Sequence, residues 1–141
     1  VNYRPKHFIL QELVGPGVFE ARGDRAFELL RPEALVTLDA LREKFGPLTV
    51  NNWHAGGAFK ESGLRDFTTA TGAKYSMHRY GGAFDCKFQS LVTHEVYDYV
   101  LANRGEFPLI TTVENVKFTA TWLHFDVRNH DQGAGIWVVD P

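Results

Sequence analysis

Two histidines and an aspartate, His78, Asp85 and His124, have the types and spacing of a three-ligand metal site. Alternate side chains of a strand share a face. Read as a strand, Ala83 to Phe88 turns Ala83, Asp85 and Lys87 one way and Phe84, Cys86 and Phe88 the other. A later stretch repeats the arrangement: Leu123, Phe125 and Val127 form an apolar row, and Trp122, His124 and Asp126 share the opposite face. His78 lies seven residues before Asp85, and Gly81-Gly82 between them lets the backbone turn sharply and bring the imidazole back over the strand. Two imidazoles and one carboxylate are a common set for catalytic zinc, with ligand bonds of about 2.0–2.2 Å and a fourth position left for water. The other reading of Asp85 is a salt bridge to Arg79 or Lys87, but an unpaired carboxylate on a half-buried strand is costly, which favours the metal.

The rest of the composition narrows the chemistry. Cys86 is the only cysteine, so neither an intramolecular disulfide nor a Cys-pair zinc site can form, and any metal must use His and carboxylate. Cys86 points with Phe84 and Phe88 and reads as a small core residue. A formal charge of −2 and a pI near 6.3 give no basic field for phosphate backbones, so nucleic acid is not an expected partner. The apolar stretch after Val1-Asn2-Tyr3-Arg4-Pro5-Lys6 is broken by Gln11, Glu12, Gly15 and Pro16, and reads as neither a signal peptide nor a membrane span. A monomer is expected.

These residues need elements to position them. Leu35, Leu38, Leu41 and Phe45 recur at helical spacing between Arg31 and Phe45, with Pro32 suited to a first turn and Gly46-Pro47 as the stop. Leu48 to Asn52 reads as a short strand, followed by the glycine-containing stretch Trp53–Gly57 and a long irregular segment to Tyr80, a connection whose length suggests function. After the strand at 83–88, a helix is predicted over Leu91 to Asn103 from Val92, Val96, Tyr99 and Val100, ended by Gly105. Three more strands are expected near 109–114, 119–127 and 135–139. The fold class is therefore α+β, with a mostly antiparallel sheet flanked by helices in one domain over residues 1–141.

Ser76-Met77-His78-Arg79-Tyr80-Gly81-Gly82-Ala83-Phe84-Asp85 fits the pattern S-x-H-x-x-G-x-A-x-D, and Trp122-Leu123-His124-Phe125-Asp126 fits W-x-H-x-D. In these two motifs the chain resembles the zinc D-alanyl-D-alanine carboxypeptidase and L-alanyl-D-glutamate endopeptidase superfamily, which shares its fold with hedgehog-type domains. It looks most similar to the small phage-encoded members. Ser62-Gly63-Leu64-Arg65 is similar to the family's S-G-x-R segment, so the resemblance spans about residues 48–128. It implies Zn2+ on His78, Asp85 and His124, substrate or oxyanion contacts from Arg65 and Ser76, and a glutamate as general base. It also implies a metallopeptidase, a hydrolase of the endolysin kind that cuts peptidoglycan stem peptides in cell wall degradation. Such a product is phage-encoded or cytoplasmic and meets the wall after release, or rides on the virion.

The family's base often sits three residues before the last histidine ligand, where this chain has Thr121, which cannot accept a proton near neutral pH. Glu114, at the end of the preceding predicted strand, is the candidate that reaches the same space across a hairpin. Arg65 suits either an oxyanion or a bidentate grip on a substrate carboxylate. Asp126 is open between an acceptor that orients a ligand histidine, a fourth metal contact and a solvated strand-end charge. His54, beginning a glycine loop, is a candidate substrate contact, whereas His7, His94 and His130 read as ordinary polar side chains. Thr121 keeps a second function in view: a catalytically weak zinc-binding module, structural or binding, on the same scaffold.

Overall fold

The structure, a computed structural model, describes residues 2–141. Three α-helices and five strands form its frame: α1 (Pro16–Arg22), α2 (Pro32–Phe45), β1 (Leu48–Thr49), β2 (Ala83–Phe88), α3 (Thr93–Ala102), β3 (Thr112–Glu114), β4 (Leu123–Asp126) and β5 (Trp137–Val139). The strands make one sheet in the order β1-β2-β4-β3-β5, antiparallel except for the parallel β3–β5 pair. This is the helix-flanked, mostly antiparallel α+β arrangement expected from the sequence.

Alternation along the strands divides the sheet into an apolar and a polar face. Phe84 and Cys86 on β2, Leu123 and Phe125 on β4 and Val113 on β3 are buried, and they join Leu35, Leu38 and Leu41 of α2 and Val96 and Val100 of α3 in one continuous cluster. Burial pushes the Cys86 thiol well above its ordinary range, as befits a core residue. α2 begins where Pro32 occupies the first turn, which needs no N–H, and ends at Gly46, whose φ of 83° a residue with a Cβ adopts only with strain.

Several elements are shorter than their sequence pattern, for traceable reasons. Past Thr49 the backbone turns to other partners: Asn51 N–H donates to the Glu12 carbonyl and Asn52 N–H to that of Phe59, so β1 stops two residues into its apolar run. Ahead of β4, the N–H of Trp122 closes a turn onto the Thr119 carbonyl, and ahead of β3 that of Ile110 does the same onto Phe107.

The first thirty residues, which carried no predicted element, hold α1 and two 3-10 segments, Leu10–Glu12 and Gly23–Leu29. Their Leu13, Val14 and Val18 enter the core cluster. They also brace the loop leading to the polar face. Leu64 N–H donates to the Leu13 carbonyl, Gly15 N–H to that of Leu64, and the Asp66 carboxylate accepts from Gly17 and Val18 at the start of α1. Gly63 lies so close to this segment that a Cβ would sit 2.1 Å from the Leu13 carbonyl oxygen. Among the described residues no helix is long and apolar enough to cross a membrane.

Candidate metal centre

On the polar face, the register of β2 with β4 sets Asp85 directly opposite His124. His78 comes from a 3-10 turn, Met77–Tyr80, started by Ser76, whose Oγ accepts from His78 N–H, and ended by Gly81 with φ 71°. A Cβ on Gly81 would lie 1.9 Å from the Leu29 carbonyl oxygen, so only glycine lets the chain turn there and fold His78 back over β2. The three side chains meet. Asp85 Oδ1 is 2.9 Å from His124 Nδ1 and 3.2 Å from His78 Nε2, and the two nitrogens are 3.3 Å apart. His78 and His124 are only 2% and 3% exposed.

What surrounds the rings decides which atoms face inward as acceptors. His78 Nδ1 is 3.0 Å from the Gly63 carbonyl, which only accepts, so the proton sits on Nδ1 and the Nε2 lone pair faces the cluster. His124 Nε2 is 3.0 Å from Asp126 Oδ2, another acceptor, so its proton sits there and the Nδ1 lone pair faces the cluster. When both rings are neutral, two nitrogen lone pairs and a carboxylate oxygen converge with no proton between them. Acceptors held this close need either a metal cation or a proton shared among them. Ligands bonded at about 2.05 Å in a tetrahedron lie about 3.3 Å apart, close to the 2.9, 3.2 and 3.3 Å found here. The trio is a buried His-Asp-His cluster able to coordinate a metal ion.

Without a metal, protons must neutralise the cluster. Burial opposes a charged His124, but its hydrogen bonds to Asp126 and Asp85 outweigh that cost and push its pKa up to about 9. Burial likewise opposes ionisation of Asp85, yet the charge of His78 and the hydrogen bonds from both imidazoles hold its carboxyl well below the usual carboxylate range.

A second layer fixes the ligands. Asp126 is fully buried, and Arg128 binds it through Nε to Oδ1 at 2.8 Å, through Nη2 to Oδ2 and through its own backbone N–H. Of the three readings open for Asp126, the one the geometry selects is the acceptor that orients His124. Replacing Asp126 with Asn should therefore lower zinc affinity by about 10–100-fold while the fold survives. Competition against a fluorescent chelator measures it, and an unchanged affinity would remove Asp126 from this role.

No family model, curated protein or solved structure matches this chain. What the site can do rests on its own geometry.

The remaining candidates fall in different places. Glu114 ends β3 on the same face, with Oε1 3.8 Å from His124 Nδ1 and its side chain 22% exposed. Arg65 packs beside the cluster, with Nη2 4.0 Å from Asp85 Oδ2 and with Nε and Nη1 donating to the carbonyls of Glu61 and Thr71. The cluster lies between two clefts that share Arg65. One, of about 870 Å³, is lined by Ser76, His78, Glu114, His124 and the 137–141 segment, and the other, of about 450 Å³, by Asp85, Lys87, Phe59, Thr121 and Trp122.

His54 is exposed on the turn Trp53–Ala55, stacked edge-on against Trp53, and lines neither cleft. His7 pairs with Glu43, and His130 bonds the Thr111 carbonyl, both in keeping with ordinary polar roles. Asp85 contacts neither Arg79 nor Lys87 as an ion pair among the described residues; its neighbours are the imidazoles and Arg65.

Two contributors escaped the sequence reading: Arg128 and the Gly63 carbonyl. Alternation offered the first, since Arg128 continues the row Trp122, His124, Asp126. The Gly63 carbonyl had no side-chain signature at all.

Proposed function

We propose that this protein is a zinc-dependent peptidase that cleaves peptide bonds of bacterial peptidoglycan stem peptides with an activated water. The observation that carries the proposal is the convergence of three ligand atoms at tetrahedral spacing, with a carboxylate, Glu114, lining the same cleft as the two histidines. Zinc suits the two-imidazole, one-carboxylate donor set, which lacks thiolate and is too nitrogen-rich for calcium or magnesium. Bound there, zinc supplies Lewis acidity, polarising a carbonyl and making water nucleophilic near neutral pH.

The chain's own residues do the rest. His78, Asp85 and His124 hold the ion, and the Gly63 carbonyl and Asp126 fix the ring orientations. Glu114 takes a proton from the attacking water and returns it to the leaving amine. Arg65, its guanidinium held by two backbone carbonyls, offers a fixed positive charge to developing oxyanion charge or to a substrate carboxylate. A peptide laid across both clefts would pass the ligand trio, Arg65 and Glu114. The stem-peptide assignment draws further support from the likeness of the two histidine motifs and the S-G-x-R segment to wall peptidases.

Purified protein supplied with zinc and muropeptides should release new free amino groups, and a chelator should stop the release until zinc is restored. Absence of any release from correctly loaded protein, across stem peptides of different cross-bridge types, would overturn the peptidase reading and leave a zinc-binding module.

A further inference from the structure

The smaller cleft is lined by three cations, Lys60, Arg65 and Lys87, and by two carboxylates, Glu61 and Asp85. Lys87 follows Asp85 on the polar face of β2, and its Nζ donates to the Val50 carbonyl at 2.7 Å and to Ser62 Oγ at 2.6 Å, 4.1 Å from the centre of the Phe59 ring. Both oxygens are neutral, and among the described residues no carboxylate lies within ion-pair distance of Lys87. Among the described residues Arg65 in the same wall has one carboxylate within ion-pair distance, Asp85 at 4.0 Å, and Asp85 directs its other oxygen to the histidines. The wall's remaining carboxylate, Glu61, is turned to the hydroxyls of Thr69 and Thr71. Partly buried cations in excess of the carboxylates around them are costly unless a ligand supplies the missing charge.

We propose that the cleft walled by Lys87, Arg65, Phe59 and Trp122 is a carboxylate-binding subsite, with Lys87 the residue that sets its preference for an anionic substrate residue. The proposal deepens the peptidase reading above and rests on it for the identity of the ligand. Lys87 is fixed at three points, so its charge is placed in advance rather than ordered on binding. Phe59 and Trp122 line the same cleft and give a charge-assisted hydrogen bond made there a partly apolar surround. A stem peptide offers two carboxylates of the right kind, the α-carboxylate of D-isoglutamate and the terminal carboxylate of D-alanine, and the test separates them.

Binding is measured by calorimetry with zinc-loaded Glu114→Gln protein, which prevents turnover. Three synthetic ligands are compared: the stem pentapeptide, its D-isoglutaminyl form and its C-terminal carboxamide. One of the two amidations should weaken binding by at least about tenfold. In Lys87→Met and Lys87→Gln, made in the same background, that discrimination should shrink to less than about twofold, with zinc content unchanged. The Lys87→Gln variant, which keeps hydrogen-bonding capacity without charge, serves where Lys87→Met does not fold.

Ser62→Ala separates recognition from bracing. It removes one anchor of the lysine but keeps the charge, so discrimination should persist; a purely structural lysine would make Ser62→Ala resemble Lys87→Met. Equal affinity for the three ligands, no binding of any, or undiminished discrimination without Lys87 would each overturn the proposal. Discrimination without hydrolysis by the parent protein would instead refute the peptidase reading and leave the subsite standing.

Discussion

Replacing Glu114 with Gln should lower turnover about a hundred- to ten-thousand-fold while zinc stays bound, because the amide keeps the shape of the side chain and cannot accept a proton. The position makes the prediction specific. The β3–β4 register, Thr112 with Asp126 and Val113 with Phe125, carries Glu114 on to His124, and its carboxylate ends 3.8 Å from that ring's inward nitrogen. Thr121, where the base falls in the similar motif, is exposed in the wall of the smaller cleft and has no acid-base capacity near neutral pH. Rates of amine release and metal content should be measured together on one preparation. An unchanged rate would place the base elsewhere, and a loss of metal along with the rate would make Glu114 a fourth ligand.

Removing a ligand should have the largest effect on stability in the presence of zinc. At a free zinc concentration about 100 times Kd, binding to the folded state alone adds about 2.7 kcal/mol, which for a chain of this size raises Tm by about 10 °C. His78→Ala and His124→Ala should each lose that rise. The two differ without zinc. His78 gives up its bond to the Gly63 carbonyl and its contact with Asp85 alone, whereas His124 lies between two carboxylates, the half-buried Asp85 and the fully buried Asp126, whose charges it bridges. The metal-free His124→Ala protein should therefore melt lower than metal-free His78→Ala, since breaking a buried ion pair from one side costs about 3–5 kcal/mol. Paired thermal melts with and without zinc read both effects, and a zinc-dependent rise that survives in either variant would place the metal elsewhere.

Periodicity carried the site far because its ligands sit on regular strands. Once Ala83–Phe88 and the stretch around His124 were read as strands with apolar rows, the polar rows followed, and the sheet register had only to bring Asp85 opposite His124. His78 needed one further inference, that Gly81-Gly82 reverses the chain, and the positive φ of Gly81 supplies that turn. The helices at Pro32–Phe45 and Thr93–Ala102 were legible from their apolar stripes, the first also from its proline and glycine boundaries. The second stops at Ala102, and Gly105, expected to end it, lies in the following 3-10 turn Arg104–Glu106.

What stayed hidden was held by backbone. α1 is short, and the segment before it matters through main-chain bonds to Ser62–Arg65 that leave no pattern in side-chain type. Pro16 at the first turn and Gly23 at the end were its available signals. The Gly63 carbonyl that sets the His78 tautomer is equally silent. His54 was placed near substrate by its position after a strand, but β1 ends early and the Trp53–Ala55 turn carries its ring away from both clefts.

The central claim is that His78 Nε2, Asp85 Oδ1 and His124 Nδ1 together hold one ion. Crystals of zinc-loaded protein measured on both sides of the zinc absorption edge test it most directly. One anomalous peak should appear at full occupancy, about 2.0–2.2 Å from each of those three atoms, with a fourth position facing the cleft that contains Glu114. No peak within bonding distance of those atoms, or a peak bound through other residues, would contradict the account.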